Sequence, residues 1–215
     1  MSVEIVESVI KGRRSVRRFT PEAVSRSEIE ALIECARYAP SDTNSQTWAF
    51  TAILDRALIR RIEEITWEQL HRLGAEAETR GLSKEGRLLV RSFGPYATAF
   101  SDAPALLIVS STPYASKFRD KIFDPIGFVS EEIWNEEGMK SSCLAAQNVM
   151  LAAHARGLAS CPMTGPVLLA GAQLKELLDI PEEQQINMVI ALGYPAEIPA
   201  APARKPTSDI LRIID

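Results

Sequence analysis

The sequence predicts an α+β protein in which helices cover both faces of one buried sheet, a three-layer α-β-α arrangement. Three observations carry that expectation. Stretches with helical periodicity outweigh strand-like ones. Two strand-like stretches, Ala105 to Ser111 and Ile186 to Leu192, are largely apolar throughout, as strands covered on both faces are. No Gly-x-Gly-x-x-Gly turn follows a strand, so the usual dinucleotide-binding fold has no support. The chain has 215 residues, 46% of them hydrophobic, and reads as a single domain over residues 1–215.

Residues 2–11 read as a short helix with Ile5, Val6, Val9 and Ile10 on one face, ended by Gly12. The next helix start is well marked. Ser25 and Glu28 have the spacing of a capping box, with Val24 and Ile29 placed as a hydrophobic staple. Ile29, Leu32, Ile33 and Ala36 form its core face, and it stops before Pro40. A polar loop leads into a strand from Trp48 to Leu54. A long helix then runs from Asp55 to about Arg80, broken by Gly81. The stretch 83–100 predicts a helix near 84–92 and a turn at Gly94-Pro95. After the strand 105–111, residues 112–129 form an irregular excursion with Tyr114, Phe118, Phe123 and Phe128, either a substrate-covering lid or a surface loop pinned by aromatics. Ser130 can cap the following helix. Its part from Gly138 to Arg156 is rich in small residues, which suits a central helix or a subunit interface, and Gly157 fits the position after its end. A short strand, Ala159 to Cys161, runs into a turn with free backbone N–H groups, then a helix over about 170–179 and the strand 186–192. The tail, 196–215, has prolines at 199, 202 and 206 and the apolar patch Ile210 to Ile214. It reads as an arm that docks on a partner subunit.

Net charge is −4, so the arginine cluster at 13–18 is local and not part of a basic surface, which argues against a general nucleic-acid binder. The longest apolar runs are too short to span a bilayer, and the N-terminus has no signal-peptide pattern, which predicts a cytoplasmic protein with no membrane partner. Cys35, Cys143 and Cys161 read as reduced, mostly buried thiols. His71 and His154 stand far from any Cys/His spacing that would hold zinc, so no metal site is expected.

Three stretches carry chemistry. Arg13-Arg14-Ser15-Val16-Arg17-Arg18-Phe19 packs four cations and a hydroxyl into six residues, and guanidinium forks suit phosphate oxygens. In Pro40-Ser41-Asp42-Thr43-Asn44-Ser45-Gln46-Thr47-Trp48, the alternate amides Asn44 and Gln46 enter a strand. There they can present donors and acceptors to the edge of a planar heterocycle. Past Cys161, the N–H groups of Pro162-Met163-Thr164-Gly165 are available to a ligand, Pro162 contributing only its carbonyl.

In this order and spacing the three stretches resemble the FMN-dependent nitroreductase family of NAD(P)H-dependent flavin oxidoreductases. Gly193-Tyr194-Pro195 and Arg204-Lys205 fall where family members carry similar residues. The resemblance implies a central mixed, mainly antiparallel sheet and a homodimer with C-terminal arm exchange and FMN at its interface. By family pattern Arg13, Arg14 and Ser15 hold the phosphate and ribityl chain, Arg17 lies by the ring, and Arg204 or Lys205 adds to the phosphate. Pro40, Ser41, Asn44 and Gln46 surround the isoalloxazine, the first two from the partner subunit. Pro162, Met163, Thr164 and Gly165 face the ring, with the Thr164 N–H on flavin N5. Pro202 departs from the pattern: some members carry a lysine there. The region 66–135, with its possible lid at 112–129, matches no family pattern and is where members differ in substrate. The implied activity is ping-pong transfer of a hydride from NADH or NADPH through flavin N5 to a small-molecule acceptor, nitroaromatic or quinone in type. No side chain is assigned as an obligatory acid or base. The alternatives are a reductive dehalogenase or flavin-converting enzyme of the same fold, or a non-catalytic flavin-binding sensor.

Overall fold

The computed structural model describes residues 2–214. Along them run α1 (Val3–Gly12), α2 (Arg26–Ala36), β1 (Trp48–Ile53), α3 (Arg56–Thr79), α4 (Ser83–Ala97), β2 (Ala105–Ser111), α5 (Asp124–Ile126), α6 (Glu131–Ala155), β3 (Ala159–Met163), α7 (Gly165–Leu177) and β4 (Gln185–Gly193). The strands form one sheet in the order β1-β2-β4-β3, every neighbouring pair antiparallel. Among the described residues, parallel pairing enters only as an isolated bridge between Ser15 and Ser160.

Alternation along the two central strands makes the three layers. Leu106 and Ile108 of β2, with Val189 and Ala191 of β4, join one apolar cluster that includes Ile59 and Ile62 of α3 and Leu174 of α7. Ala105, Leu107 and Val109, with Ile190 and Leu192, join a second cluster with Leu32 of α2 and Ala145 and Val149 of α6. Successive side chains of a strand point to opposite faces, so apolar residues at every position need cover on both sides.

The α2 capping box forms as the sequence predicts: the Ser25 hydroxyl accepts from the Glu28 N–H and the Ser25 N–H donates to the Glu28 carboxylate. Asp55 caps α3 by accepting from the Ala57 N–H at 2.7 Å. The small residues of α6 let it lie against the sheet as a central helix. Gly138, Ser141, Ser142, Ala145, Ala146 and Ala153 are all buried.

Several expectations are corrected. α4 continues through Gly94-Pro95 to Ala97 instead of turning there. Gly94 allows this because it crosses Trp67 of α3; a Cβ on it would come within 2.2 Å of the indole. β3 runs on to Met163 because β4 offers Ile190 and Val189 as partners for Pro162 and Met163. Pro162 is tolerated because β3 is an edge strand of this sheet. α7 begins at Gly165, with a kink at Ala170 (φ −132°, ψ 18°), so the expected start near 170 marks the kink. Cys35 and Cys143 are exposed, on helix faces turned away from the sheet, and only Cys161 is buried. In the excursion 112–129, Phe123 and Arg119 pack against Trp134 of α6, contacts that a lid or a surface loop can equally make. Phe123 meets Trp134 edge-on at 5.6 Å, and Arg119 lies 5.5 Å over the Trp134 ring while pairing with Asp124 and Glu131.

Candidate functional site

The arginine stretch is held by the apolar residues inside it. Val16 and Phe19 are buried in the core, leaving the arginines outside. The Val16 N–H donates to the Ser160 carbonyl at 3.1 Å, and Phe19 bridges Pro195. The segment therefore lines the free edge of β3, which brings the first and third predicted stretches together. Arg13, Arg14, Ser15 and Arg17 form one wall of a cavity of about 450 Å³, and Pro199, Ala200, Pro202 and Arg204 form the other. Lys205 does not line it.

The guanidinium groups are spent differently. Arg14 Nη1 donates to the carbonyls of Lys11, Gly12 and Arg13, closing the end of α1. Arg13 Nη1 is buried with no hydrogen-bond partner, and so is the hydroxyl of Ser160, whose backbone bridges Ser15. A buried charged donor left unpaired costs more than an ordinary hydrogen bond is worth. Arg13, Arg14, Arg17 and Arg204 line one cavity with no carboxylate among its lining residues, and such a set of donors fits the oxygens of an oxyanion such as a phosphate. Arg17 packs its guanidinium 5.8 Å over the Tyr96 ring and also lines an adjoining cavity of about 440 Å³ with Glu63, Trp67 and Tyr96. Burial pushes the Cys161 thiol up, and the nearby charges of Arg17 and Arg13 offset part of that rise.

Beyond Met163, Thr164 is the residue before α7 and Gly165 its first. The opening turn of a helix has N–H groups without intrahelical partners, so donors remain here although β3 is longer than expected. Gly165 sits against the end of α4; a Cβ on it would lie 3.1 Å from Ala97 and 3.3 Å from Phe93.

Pro40, Ser41, Asn44 and Gln46 lie elsewhere. They precede β1, at the far edge of the sheet from β3, about 14 Å away across three strand spacings. Within one chain they do not meet the other two stretches. Asn44 and Gln46 do not enter the strand as alternate residues either. A 3₁₀ turn spans Asp42–Asn44, and Thr43, Asn44 and Gln46 all have left-handed backbone, with φ of 47°, 59° and 49°. The Ser41 hydroxyl accepts from the Gln46 N–H, a local bond that competes with strand geometry. The loop is tied down through Thr47 Oγ1 to the Gly138 carbonyl and through Thr43 to the Tyr114 hydroxyl. A shared hydrogen bond with Glu137 holds the Asp42 carboxyl up, while Lys140 holds Glu137 down. A left-handed β-branched residue held this firmly is the kind of local strain found at ligand sites.

Residues 10–194 match the profile of the Nitroreductase family. The chain belongs to that family. An iodotyrosine deiodinase from Nematostella vectensis is 27% identical over 98% of this chain and 75% of its own length. A nitrobenzene nitroreductase from Ectopseudomonas oleovorans is 28% identical over 88% of this chain and 86% of its own. Among solved structures, a BluB-like flavoprotein from Clostridium difficile 630 superposes with a TM-score of 0.82 at 26% identity, covering 98% of this chain and 99% of that one.

For this nitroreductase-family chain, sequence reasoning missed Tyr96, which the α4 extension brings over Arg17, and the wall of Pro199, Ala200 and Pro202. The proline spacing in the tail was a signal for the second; a tyrosine in a stretch read as a turn gave none for the first. Among the described residues no three His, Cys, Asp or Glu side chains are grouped to hold a metal ion, and no helix is long and apolar enough to cross a membrane.

Proposed function

We propose that the chain is a cytoplasmic, homodimeric FMN-dependent oxidoreductase that uses NADH or NADPH to reduce a small aromatic acceptor of nitroaromatic or quinone type. The observation that carries this reading is one cavity lined by Arg13, Arg14, Arg17 and Arg204 and by no carboxylate, whose first wall runs along the strand, β3, that leads into α7. When bound, FMN supplies hydride exchange between a nicotinamide donor and the acceptor. The protein's part is to hold and tune it. Arg13, Ser15 and Arg204 take the phosphate end, with Arg14 helping through its unspent nitrogens. Arg17, steadied by Tyr96, stands at the pyrimidine end and favours negative charge there. The Thr164 and Gly165 N–H groups donate to the ring, with Pro162 and Met163 framing it. The Pro40, Ser41, Asn44 and Gln46 loop of the second subunit closes the far side, since the loop of the same chain lies at the opposite sheet edge. Lys205 sits next to Arg204 and adds positive charge outside the cavity. Donor and acceptor occupy one space in turn.

Anaerobic stopped-flow mixing tests the activity. FMN-loaded protein should bleach with NADH or NADPH and recover colour with nitrobenzene; bound FMN that neither nicotinamide reduces would instead mark a binding module. The similarity to an iodotyrosine deiodinase favours one second reading, reductive removal of halogen from a phenol at the same site. Recovery of colour with an iodophenol and not with nitrobenzene would select it.

A further inference from the structure

We infer that the arm from Ala196 to Arg204 is an anion-operated clasp, which makes phosphate binding at the cavity and docking of segment 206–214 on a second copy of the chain favour one another. The inference rests on the flavin reading above and adds its regulation. One wall of the cavity carries Arg13, Arg14 and Arg17, the other carries Arg204, and no carboxylate lines it. None of these four guanidinium groups is ion-paired among the described residues. Like charges oppose bringing the walls together; a phosphate near two negative charges reverses the sign and offers oxygens to both walls.

Little else holds the arm. The Ala196 N–H donates to the Arg18 carbonyl at 3.0 Å, and past it the described hydrogen bonds of the arm are local, from 206 to 211. Every residue from 196 to 214 is exposed. Prolines at 199, 202 and 206 fix backbone torsions, so the arm behaves as a strap rather than a free coil. Where Arg204 is pinned therefore sets where the distal segment starts. That segment exposes Ile210, Leu211, Ile213 and Ile214, and its nine residues span at most about 30 Å when extended, enough to reach a neighbouring subunit. Pinning the strap removes freedom that docking would otherwise have to remove, so the two events are coupled, and linkage makes the coupling reciprocal.

The test mixes two differently tagged preparations of the full chain and follows subunit exchange, alongside trypsin cleavage after Arg204. Each is measured without addition, with saturating FMN, with riboflavin, and with millimolar inorganic phosphate; FMN uptake is followed separately by flavin fluorescence quenching. FMN should slow both exchange and cleavage about tenfold or more. Phosphate should slow them less, and riboflavin should leave them unchanged. Arg204→Gln, saturated with FMN, should exchange as fast as the protein without it. Quenching that shows FMN bound while exchange and cleavage stay unchanged overturns the clasp and leaves the flavin reading standing, as does riboflavin acting as strongly as FMN. A protein that takes up no FMN, or stays monomeric throughout, overturns both.

Discussion

Arginines 13 and 14 are neighbours with different work, which only the structure separates. Arg14 spends Nη1 on three carbonyls at the end of α1, while Arg13 Nη1 has no protein partner. Charged hydrogen bonds are worth about 1.5–3 kcal/mol. Arg13→Ala should therefore raise the FMN dissociation constant roughly ten- to hundredfold with little change in melting temperature. Arg14→Ala should lower the melting temperature and weaken FMN less. Calorimetry and fluorescence titration of both variants check this. A second residue-scale prediction concerns acid. The Tyr194 hydroxyl donates to Glu28 at 2.7 Å, and with the Ser25 N–H it holds the Glu28 carboxyl below its usual range. A carboxylate depressed in the folded state contributes stability that is complete above its ordinary value and lost as the pH falls through the folded one. Tyr194→Phe should lower stability at neutral pH, and the loss should shrink in acid; equal losses at both ends of a urea series from pH 7 to pH 3 would contradict it. The arginines, the capping box and Gly193-Tyr194-Pro195 were all legible in the sequence. The division of labour between Arg13 and Arg14 was not, because it depends on which carbonyls α1 leaves within reach.

Among the elements, α6 organises the rest. Its Gly138 touches the Thr112 carbonyl so closely that a Cβ would come within 2.1 Å of it, and its own carbonyl accepts from Thr47. The strained loop before β1, the end of β2 and α6 therefore meet at one glycine. Gly138→Ala should destabilise by about 1–3 kcal/mol, the usual range for overpacking, and should loosen the 40–47 loop; thermal unfolding and amide exchange in that loop measure both. The sequence disclosed α6 through its run of small residues, and β2 and β4 through their apolar character. It misplaced the boundaries of α4 and β3 because a tertiary neighbour overrode a local signal, and that of α7 because the helix bends without ending. Trp67 accepts Gly94-Pro95 as helix, β4 pairs Pro162 as strand, and α7 absorbs a kink at Ala170. The reading of Asn44 and Gln46 as alternate strand residues failed because side-chain to backbone bonds hold a left-handed turn there.

For the whole molecule, two of the three chemistry-bearing stretches converge at β3 while the third sits beyond β1, so one chain holds only part of the proposed site. The outer edge of β1 has no partner among the described residues, and a groove of about 720 Å³ lined by Thr51, Ile53, Ile29 and Leu178 runs beside it. An exposed strand edge beside an apolar groove suits an added strand, and the exposed Ile210, Leu211, Ile213 and Ile214 of a second chain fit that role. Exposed Val3, Ile5, Val6 and Ile10 on α1 offer further apolar surface to the proposed dimer. Deleting residues 206–215 should weaken the dimer; an unchanged sedimentation profile would rule out an exchanged arm. The order of the three stretches was legible from sequence alone, but their separation across the sheet was not, since strand order cannot be read from local pattern. The account's central claim is that arginines of the first stretch and amides at the start of α7 bind one flavin mononucleotide per chain. Isothermal titration of FMN into flavin-free full-length protein tests it most directly: the account predicts saturable uptake at one FMN per chain with riboflavin bound far more weakly, and a wild-type protein that releases no heat and takes up no flavin would contradict it.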